Sequence, residues 1–378
     1  MQRAHKIRLM PTRTQEQALR KACGTARFTW NWAIAEWNRQ YEAGEKPSAM
    51  GLKKQWNACK PDWVYDSPRD CNSQPFANLG KAFTAFFQKR SNRPSFKKKG
   101  THDAFYVSND KFKCDGKKVR LSVIGRMRMR EALRFNGKVM SGIVSCTAGQ
   151  WYLSVQVDSP AVPRQLNESV VGVDAGIGRI GIASDGTECP NPKPLKRLQD
   201  KLTKAQRNVS RKMKGSANRL KAVTKLQRLH KRAVDVRNDS IHKFTSRLAK
   251  NHGLAVIETL AVQEMKDKAP RWLRVLLQDT AMREMHRQLE YKMPVMKAPQ
   301  FYASSKTCSG CGNKKDSLSL SQRVYHCEVC DLKLDRDVNA AMNLKSMRWA
   351  TPCRPVEGIP KYPVKQEVEV AHLCAGLM

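Results

Sequence analysis

Apolar and polar positions along the chain follow two periods, and each change of period marks a change of architecture. The opening AHKIRLMP alternates like a short strand ended by Pro11, and Thr14 with Gln17 reads as the capping box of a following helix. That helix is predicted through QEQALRKACGTARFTWNWAIAEWNRQYEAG, with Gly24 as the place where it would break. Its Phe28, Trp30, Trp32, Trp37 and Tyr41 suit either the core of a helical bundle or a platform on which bases stack. FANLGKAFTAFFQKR sets Leu79, Phe83 and Phe86 at helical spacing, and NRPSFKKKG is a proline-broken basic loop. From about Ala104 to Asp158 the period falls to two in DAFYVS, KKVRLSV, RMRMRE, KVMSGIVSC and QWYLSVQVD, a small antiparallel barrel or sandwich. Arg126, Arg128 and Arg130 share one strand face there, either a solvated face or a contact for backbone phosphates.

Beyond a linker at Pro163, SVVGVD is an apolar strand ended by Asp174, and GIGRIGIASDG continues as a hairpin turning at Asp185-Gly186. Residues 196–232 are dense in Lys and Arg, with Asp200 as the one acid. Leu198, Leu202, Ala205 and Val209, then Leu220, Val223 and Leu226, keep helical spacing on either side of Gly215, which makes a basic helical hairpin. GLAVIE is a second buried strand, ended by Glu258, and a helix is expected from Leu273 to Lys292. Proline and mixed charge without period after Met347 predict a flexible tail, 348–378.

Charge adds a partner to this outline. Lys and Arg number 70 against 33 Asp and Glu, a formal charge of +37 over 378 residues, so the folded chain repels itself unless a polyanion neutralises it. Nucleic acid is the natural counter-ion. No stretch approaches the ~20 apolar residues of a spanning helix and no charged-then-apolar leader opens the chain, so the reading is of a cytoplasmic, nucleoid-associated protein with no membrane partner.

Cys308, Cys311, Cys327 and Cys330 form CxxC, fifteen intervening residues, then CxxC, which is zinc-ribbon spacing. Two knuckles of this kind close a four-thiolate shell, so the metal is structural, and His326 is a surface histidine beside a filled shell. The other eight cysteines are scattered without pairing logic, as reduced thiols are.

Three acids share a kind of address. Asp174 and Glu258 end apolar strands, and Asp337 opens the helix DVNAAMNL; Asp335, two residues earlier, is a rival, and Asp337 is preferred because it directly precedes the helix. Strand ends meet along one sheet edge, where carboxylates distant in sequence can hold divalent cations such as Mg²⁺ for phosphodiester hydrolysis. Taken singly, each acid has a duller role: a helix cap for Asp337, a turn for Asp174, an ion pair for Glu258. Together they form the strand-Asp, strand-Glu, helix-Asp pattern of an RNase H-like, RuvC-type nuclease core.

From its start to about Leu344 the chain resembles the TnpB family, the OrfB-type proteins of bacterial insertion sequences and relatives of type V CRISPR nucleases. KIRLMPT, ARFTWNWA, SFKKKG, GVDAGI, SRKMKGSANRLKA, VIETL, SSKTCSGCG, YHCEVC and DRDVNAAMNL carry the resemblance, in family order. It implies a multidomain α+β chain: a β-barrel wedge domain (1–10 and 92–163), a helical recognition insertion (11–91), a RuvC-like nuclease domain (164–303 and 332–347) and an inserted zinc ribbon that binds target nucleic acid (304–331). It places the catalytic, Mg²⁺-holding acids on Asp174, Glu258 and Asp337 and the Zn²⁺ ligands on Cys308, Cys311, Cys327 and Cys330. The implied activity is RNA-guided cleavage of double-stranded DNA beside a short flanking motif, the guide RNA coming from the transposon end. Between Lys292 and Phe301 only MPVMKAPQ remains, short for the strand pair the family implies there. Competing readings are a nuclease-inactive RNA-guided repressor, a transposase and a plain zinc-ribbon DNA-binding protein. Three intact acids, the absence of a recognisable transesterifying tyrosine module and the chain's length argue against each in turn.

Overall fold

A computed structural model describes residues 2–160, 168–319 and 322–347. The predicted tail and the Pro163 linker lie outside the described residues. The chain divides into two units, one ending at Val162 and the other beginning at Pro163.

The first unit opens with strand β1 (Gln2–Met10) and helix α1 (Arg13–Glu42). The capping box is two residues earlier than expected: Thr12 accepts from the Gln15 backbone N–H and the Gln15 side chain accepts from the Thr12 N–H, so Thr14 lies inside the helix. Gly24 does not break α1, which runs unbroken for 30 residues. Helices α2 (Ala49–Cys59) and α3 (Asp70–Phe87) pack against it. Periodicity missed α2, whose Leu52 and Trp56 are the only two residues it buries. The aromatic question divides by residue. Trp30 and Trp37 join Trp56, Phe76 and Phe83 in the bundle core, with Trp37 stacked on Phe83 at 4.0 Å, whereas Phe28 and Tyr41 are exposed.

Strands β2 (Ala104–Ser108), β3 (Phe112–Asp115), β4 (Lys118–Leu121), β5 (Gly125–Met129), β6 (Lys138–Thr147) and β7 (Gln150–Asp158) complete a seven-stranded antiparallel sheet in the order β2-β6-β7-β1-β5-β4-β3. Its apolar residues share one core, in which Phe112 of β3 is joined by Leu121, Val144 and Leu153. The sheet order ends on β2 and β3 as its two edges.

The second unit begins with β8 (Val170–Asp174), β9 (Arg179–Ala183) and β10 (Glu188–Pro190). The basic hairpin follows as α4 (Pro194–Ser210) and α5 (Ala217–Asn251), the second arm reaching well beyond Arg232. Next come β11 (Leu254–Ile257), α6 (Val262–Lys268), α7 (Arg271–Thr280), α8 (Met282–Lys292) and β12 (Val295–Lys297). The helix expected over 273–292 is thus two helices, broken where Ala281 takes a left-handed conformation at φ 46°. MPVMKAPQ supplies one strand, β12, in place of a pair.

These strands form a five-stranded sheet in the order β10-β9-β8-β11-β12, antiparallel on the β10-β9-β8 side and parallel from β8 to β12. The short ribbon hairpin β13 (Val324–His326) and β14 (Lys333–Asp335) leads directly into the last helix, α9 (Arg336–Ser346). Helix α9 lies on β8 so closely that a side-chain carbon at Gly172 would collide with the Ala341 carbonyl oxygen and the Lys345 nitrogen. None of the described helices is long and apolar enough to cross a membrane.

Candidate active site and metal centre

Antiparallel pairing puts the end of β8 and the start of β9 at the same sheet edge, and parallel pairing brings the end of β11 there as well. Asp174 is the last residue of β8, and Glu258 follows β11 immediately. Asp337 reaches this edge from the first turn of α9. Burial, then the Glu258 and Asp337 carboxylates, push the Asp174 carboxyl well above the ordinary aspartate range, and Asp174 and Glu258 share a hydrogen bond. The three predicted acids therefore come together.

The reason offered for Asp337 over Asp335 does not survive. Asp335, not Asp337, directly precedes the helix: its Oδ1 accepts from the backbone N–H groups of Asp337 at 2.9 Å and Val338 at 3.2 Å, so Asp335 is the N-cap. Asp335 also takes both oxygens' bonds from Arg179 Nη2, each at 2.8 Å. Both Asp335 oxygens are thereby engaged. Asp337, freed of the cap, is the carboxylate facing Asp174.

Sequence reasoning passed over four polar residues around the acids. Buried Ser304 donates its hydroxyl to Glu258 Oε1 at 2.6 Å. Arg179 Nη2 reaches Asp337 Oδ2 at 3.0 Å as well as Asp335, while its Nη1 holds Glu188 at 2.8 Å. Asn339 and Asn343, one turn apart on α9 and both buried, donate to the Thr307 carbonyl at 2.7 and 2.6 Å, and Asn343 also to that of Ser304 at 2.7 Å. Only the polar residues at helical spacing in VNAAMNL signalled the last pair.

In the ribbon, the ligand atoms of Cys308, Cys311, Cys327 and Cys330 all lie within 4.8 Å of one another. Sγ atoms of Cys308 and Cys330, and of Cys311 and Cys327, are 3.6 Å apart, far beyond a disulfide and near the ~3.8 Å edge of a tetrahedron with 2.3 Å zinc–sulfur bonds. Each knuckle closes the same way. The residue after its second cysteine, Gly312 or Asp331, has a positive φ of 77° or 55°. The Cys308 and Cys327 backbone N–H groups bond the carbonyls of Asn313 and Leu332. Backbone N–H groups of Cys330 and Val329 pull the Cys327 thiol down to about 6, while hydrogen bonds with the other three cysteines push the Cys330 thiol up to about 12, so the crowded quartet shares its protons. His326 pairs with Asp331 at 2.6 Å on the surface, outside the cysteine quartet.

The face carrying the arginine alternation is more crowded than one strand indicated. Lys118 stands between Arg128 and Asp115, and Arg120 stands between Arg126 and Lys113. All five cations are exposed. Neighbouring strands are ~4.8 Å apart, so the cations form like-charge pairs directly across a ladder, an arrangement that destabilises the sheet on its own. Arg126 has a counter-charge in Asp115 at 3.3 Å.

Fold and site thus define a mixed α/β protein with a four-cysteine ribbon module and a cluster of half-buried acids at one sheet edge. Three family models match: "Probable transposase" over residues 152–269, "Helix-turn-helix domain" over 1–46, and "Cas12f1-like, TNB domain" over 283–344. Across 1–46 the structure has one strand and one long helix. A protein of Escherichia coli (strain K12) named "Putative RNA-guided DNA endonuclease InsQ" is 35% identical over 366 residues, covering 90% of this chain and 91% of its own. A "Putative RNA-guided DNA endonuclease" of Streptomyces pristinaespiralis is 32% identical over 363 residues, covering 91% and 89%. Among solved structures, the "mini-RNA-guided endonuclease CRISPR-Cas_phi3" overlaps 95% of this chain and 94% of its own at 10% identity and a TM-score of 0.44. The chain belongs to the TnpB family, the OrfB-type proteins of insertion sequences.

Proposed function

We propose that this protein is an RNA-guided DNA endonuclease whose second unit, an RNase H-like domain of RuvC type, hydrolyses phosphodiester bonds with Asp174, Glu258 and Asp337. The carrying observation is the convergence of three carboxylates from β8, β11 and α9, with Asp174 pressed against two other acids. Acids distant in sequence are not driven together by their own electrostatics, so the fold holds them against repulsion, as functional sites do. The all-oxygen donor set suits a hard divalent cation. Bound there, Mg²⁺ would lower the pKa of a water and stabilise the leaving oxygen of the phosphodiester.

The chain's own contribution is placement. Ser304 fixes one Glu258 oxygen, Arg179 fixes one Asp337 oxygen, and the Asp335 cap sets the first turn of α9. The like-charge ladder of the first unit and the basic hairpin α4–α5 hold nucleic-acid backbones, while pairing with a transposon-derived guide selects the sequence. The first unit then divides into the wedge (1–10 and 92–163) and the helical recognition lobe (11–91). The ribbon (304–331) takes one structural Zn²⁺ on its four cysteines and contacts the target. The working location is the bacterial cytoplasm.

The test is cleavage of a plasmid carrying a guide-matched target beside a randomised flank, by protein purified with its RNA, with Mg²⁺ or with chelator. Asp174→Ala should abolish cutting while RNA and target binding persist. Undiminished metal-dependent cutting by that variant defeats the mechanism, and no cutting by the wild type beside any flank favours the nuclease-inactive repressor instead.

A further inference from the structure

Arg179 sits at the acid edge with more carboxylate around it than an arginine needs for stability. Its Nη2 contacts both oxygens of Asp335 and one of Asp337, and its Nη1 contacts Glu188, so a single cation serves three acids from β10, β14 and α9. Asp335 and Asp337 are two residues apart on either side of a helix start, and Arg179 spans both. Such a pair would itself attract a divalent cation, because two carboxylates at one place are a hard-cation site. That position would be the wrong one: it is built on Asp335 and Asp337, whereas the proposed site needs Asp337 together with Asp174 and Glu258.

Resting on the nuclease reading above, we infer that Arg179 is a positioning residue, a resident cation that occupies the Asp335–Asp337 pair and thereby confines divalent cations to the Asp174–Glu258–Asp337 side. The guanidinium suits this task because it is planar, always charged and able to bridge two carboxylates. It leaves Asp337 with one oxygen engaged and the other available. It also satisfies Asp335, whose remaining acceptor capacity goes to the α9 backbone.

The inference is tested on the RNA-bound protein with Arg179→Gln, Arg179→Lys and the double variant Arg179→Gln/Asp335→Asn, in which the asparagine keeps a capping oxygen. Two readouts are used: plasmid cutting, and Fe²⁺-directed hydroxyl-radical scission of the polypeptide mapped by mass spectrometry, which reports where the cation sits whether or not DNA is cut. Arg179→Gln should lose about 10- to 100-fold in cutting, the usual cost of disturbing a group that orients metal ligands. It should also gain scission around residues 335–337 and 188. Arg179→Lys should fall between it and the wild type. The double variant should recover most of the cutting and the wild-type scission map, because the stray site has lost a carboxylate. Wild-type cutting by Arg179→Gln overturns the inference, and so does a loss shared in full by the double variant with an unchanged map, which is the signature of a merely structural arginine. Asp174→Ala is run in parallel: if it too cuts normally, the nuclease reading falls and takes the inference with it, whereas an inactive Asp174→Ala beside a fully active Arg179→Gln sinks the inference alone.

Discussion

The outer face of β3-β4-β5 and the acid edge of the β8 sheet are the same electrostatic device with opposite signs. On the first, Lys113, Arg120 and Arg126 stand side by side across three strands, and Lys118 faces Arg128. On the second, Asp174, Glu258 and Asp337 meet from three elements. Both spend stability on like charges. They differ in burial, and burial decides what each can bind. The exposed cations remain hydrated and suit the spaced, salt-sensitive charges of a polyanion. The acid edge includes a carboxyl pushed far from its usual titration range, so its relief has to come from a compact cation or from protons. Crowded like charge on a surface therefore points to a chain-like partner, and crowded like charge in a half-buried cluster to an ion.

Removing the buried charge should produce the largest effect. Asp174→Asn is expected to abolish cutting and at the same time to stabilise the metal-free protein by roughly 1 kcal/mol, as relief of a strained active site commonly does. The pH dependence gives the sign. Because the folded state holds the Asp174 proton to higher pH than the unfolded chain does, the metal-free wild type should lose stability as pH rises from about 4 through the raised value. Asp174→Asn should flatten that slope. Thermal melts across pH with chelator present check both points, and a wild-type slope of the opposite sign would contradict the crowding.

Next in size is the ribbon. Cys308→Ser should release the single zinc and unfold residues 304–331, because the shell closes only when all four sulfurs are present. Zinc analysis of the purified variant, with proteolysis to locate the opened segment, makes the measurement. Cutting should fall too, since Asn339 and Asn343 tie the entry to the ribbon onto the helix that carries Asp337.

The surface cations should give the smallest and most divided response. Arg120→Glu turns two like-charge cross-strand pairs into attractive ones, so the nucleic-acid-free protein should gain about 0.2–1 kcal/mol. The same change should weaken nucleic-acid binding and reduce the dependence of log K on log salt by about one. Melting curves and binding titrations at several salt concentrations test the pair of signs. A loss of both stability and affinity would mean that the face is not crowded enough to matter.

Much of this was legible in the sequence because the informative residues sit at element boundaries. Asp174 and Glu258 end apolar runs, and the cysteine spacing specifies its own geometry. Asp337 was chosen for a mistaken reason, since a sequence showing Asp-Arg-Asp before a helix does not say which acid caps it. Three-dimensional pairing with Arg179 decides that, and Arg179 itself looked like an ordinary hairpin residue. The capping box slipped from Thr12–Gln15 to Thr14–Gln17 because both pairs have the right spacing and only the strand's true end at Met10 distinguishes them. The break at Ala281 was invisible for a related reason. Alanine is the strongest helix former, yet Ala281 takes a left-handed conformation there, partly buried against the core of the β8 sheet.

The close seat of α9 on Gly172 has a consequence for the order of events during synthesis. Strands β8 to β12 emerge from the ribosome well before the helix that must lie across β8, and the third acid arrives only with that helix. Until then the edge holds Asp174 and Glu258 without Asp337, Asp335 or the asparagines that anchor the ribbon. On the proposed mechanism, a growing chain therefore lacks its third acid until α9 has been made, after every strand of the β8–β12 sheet.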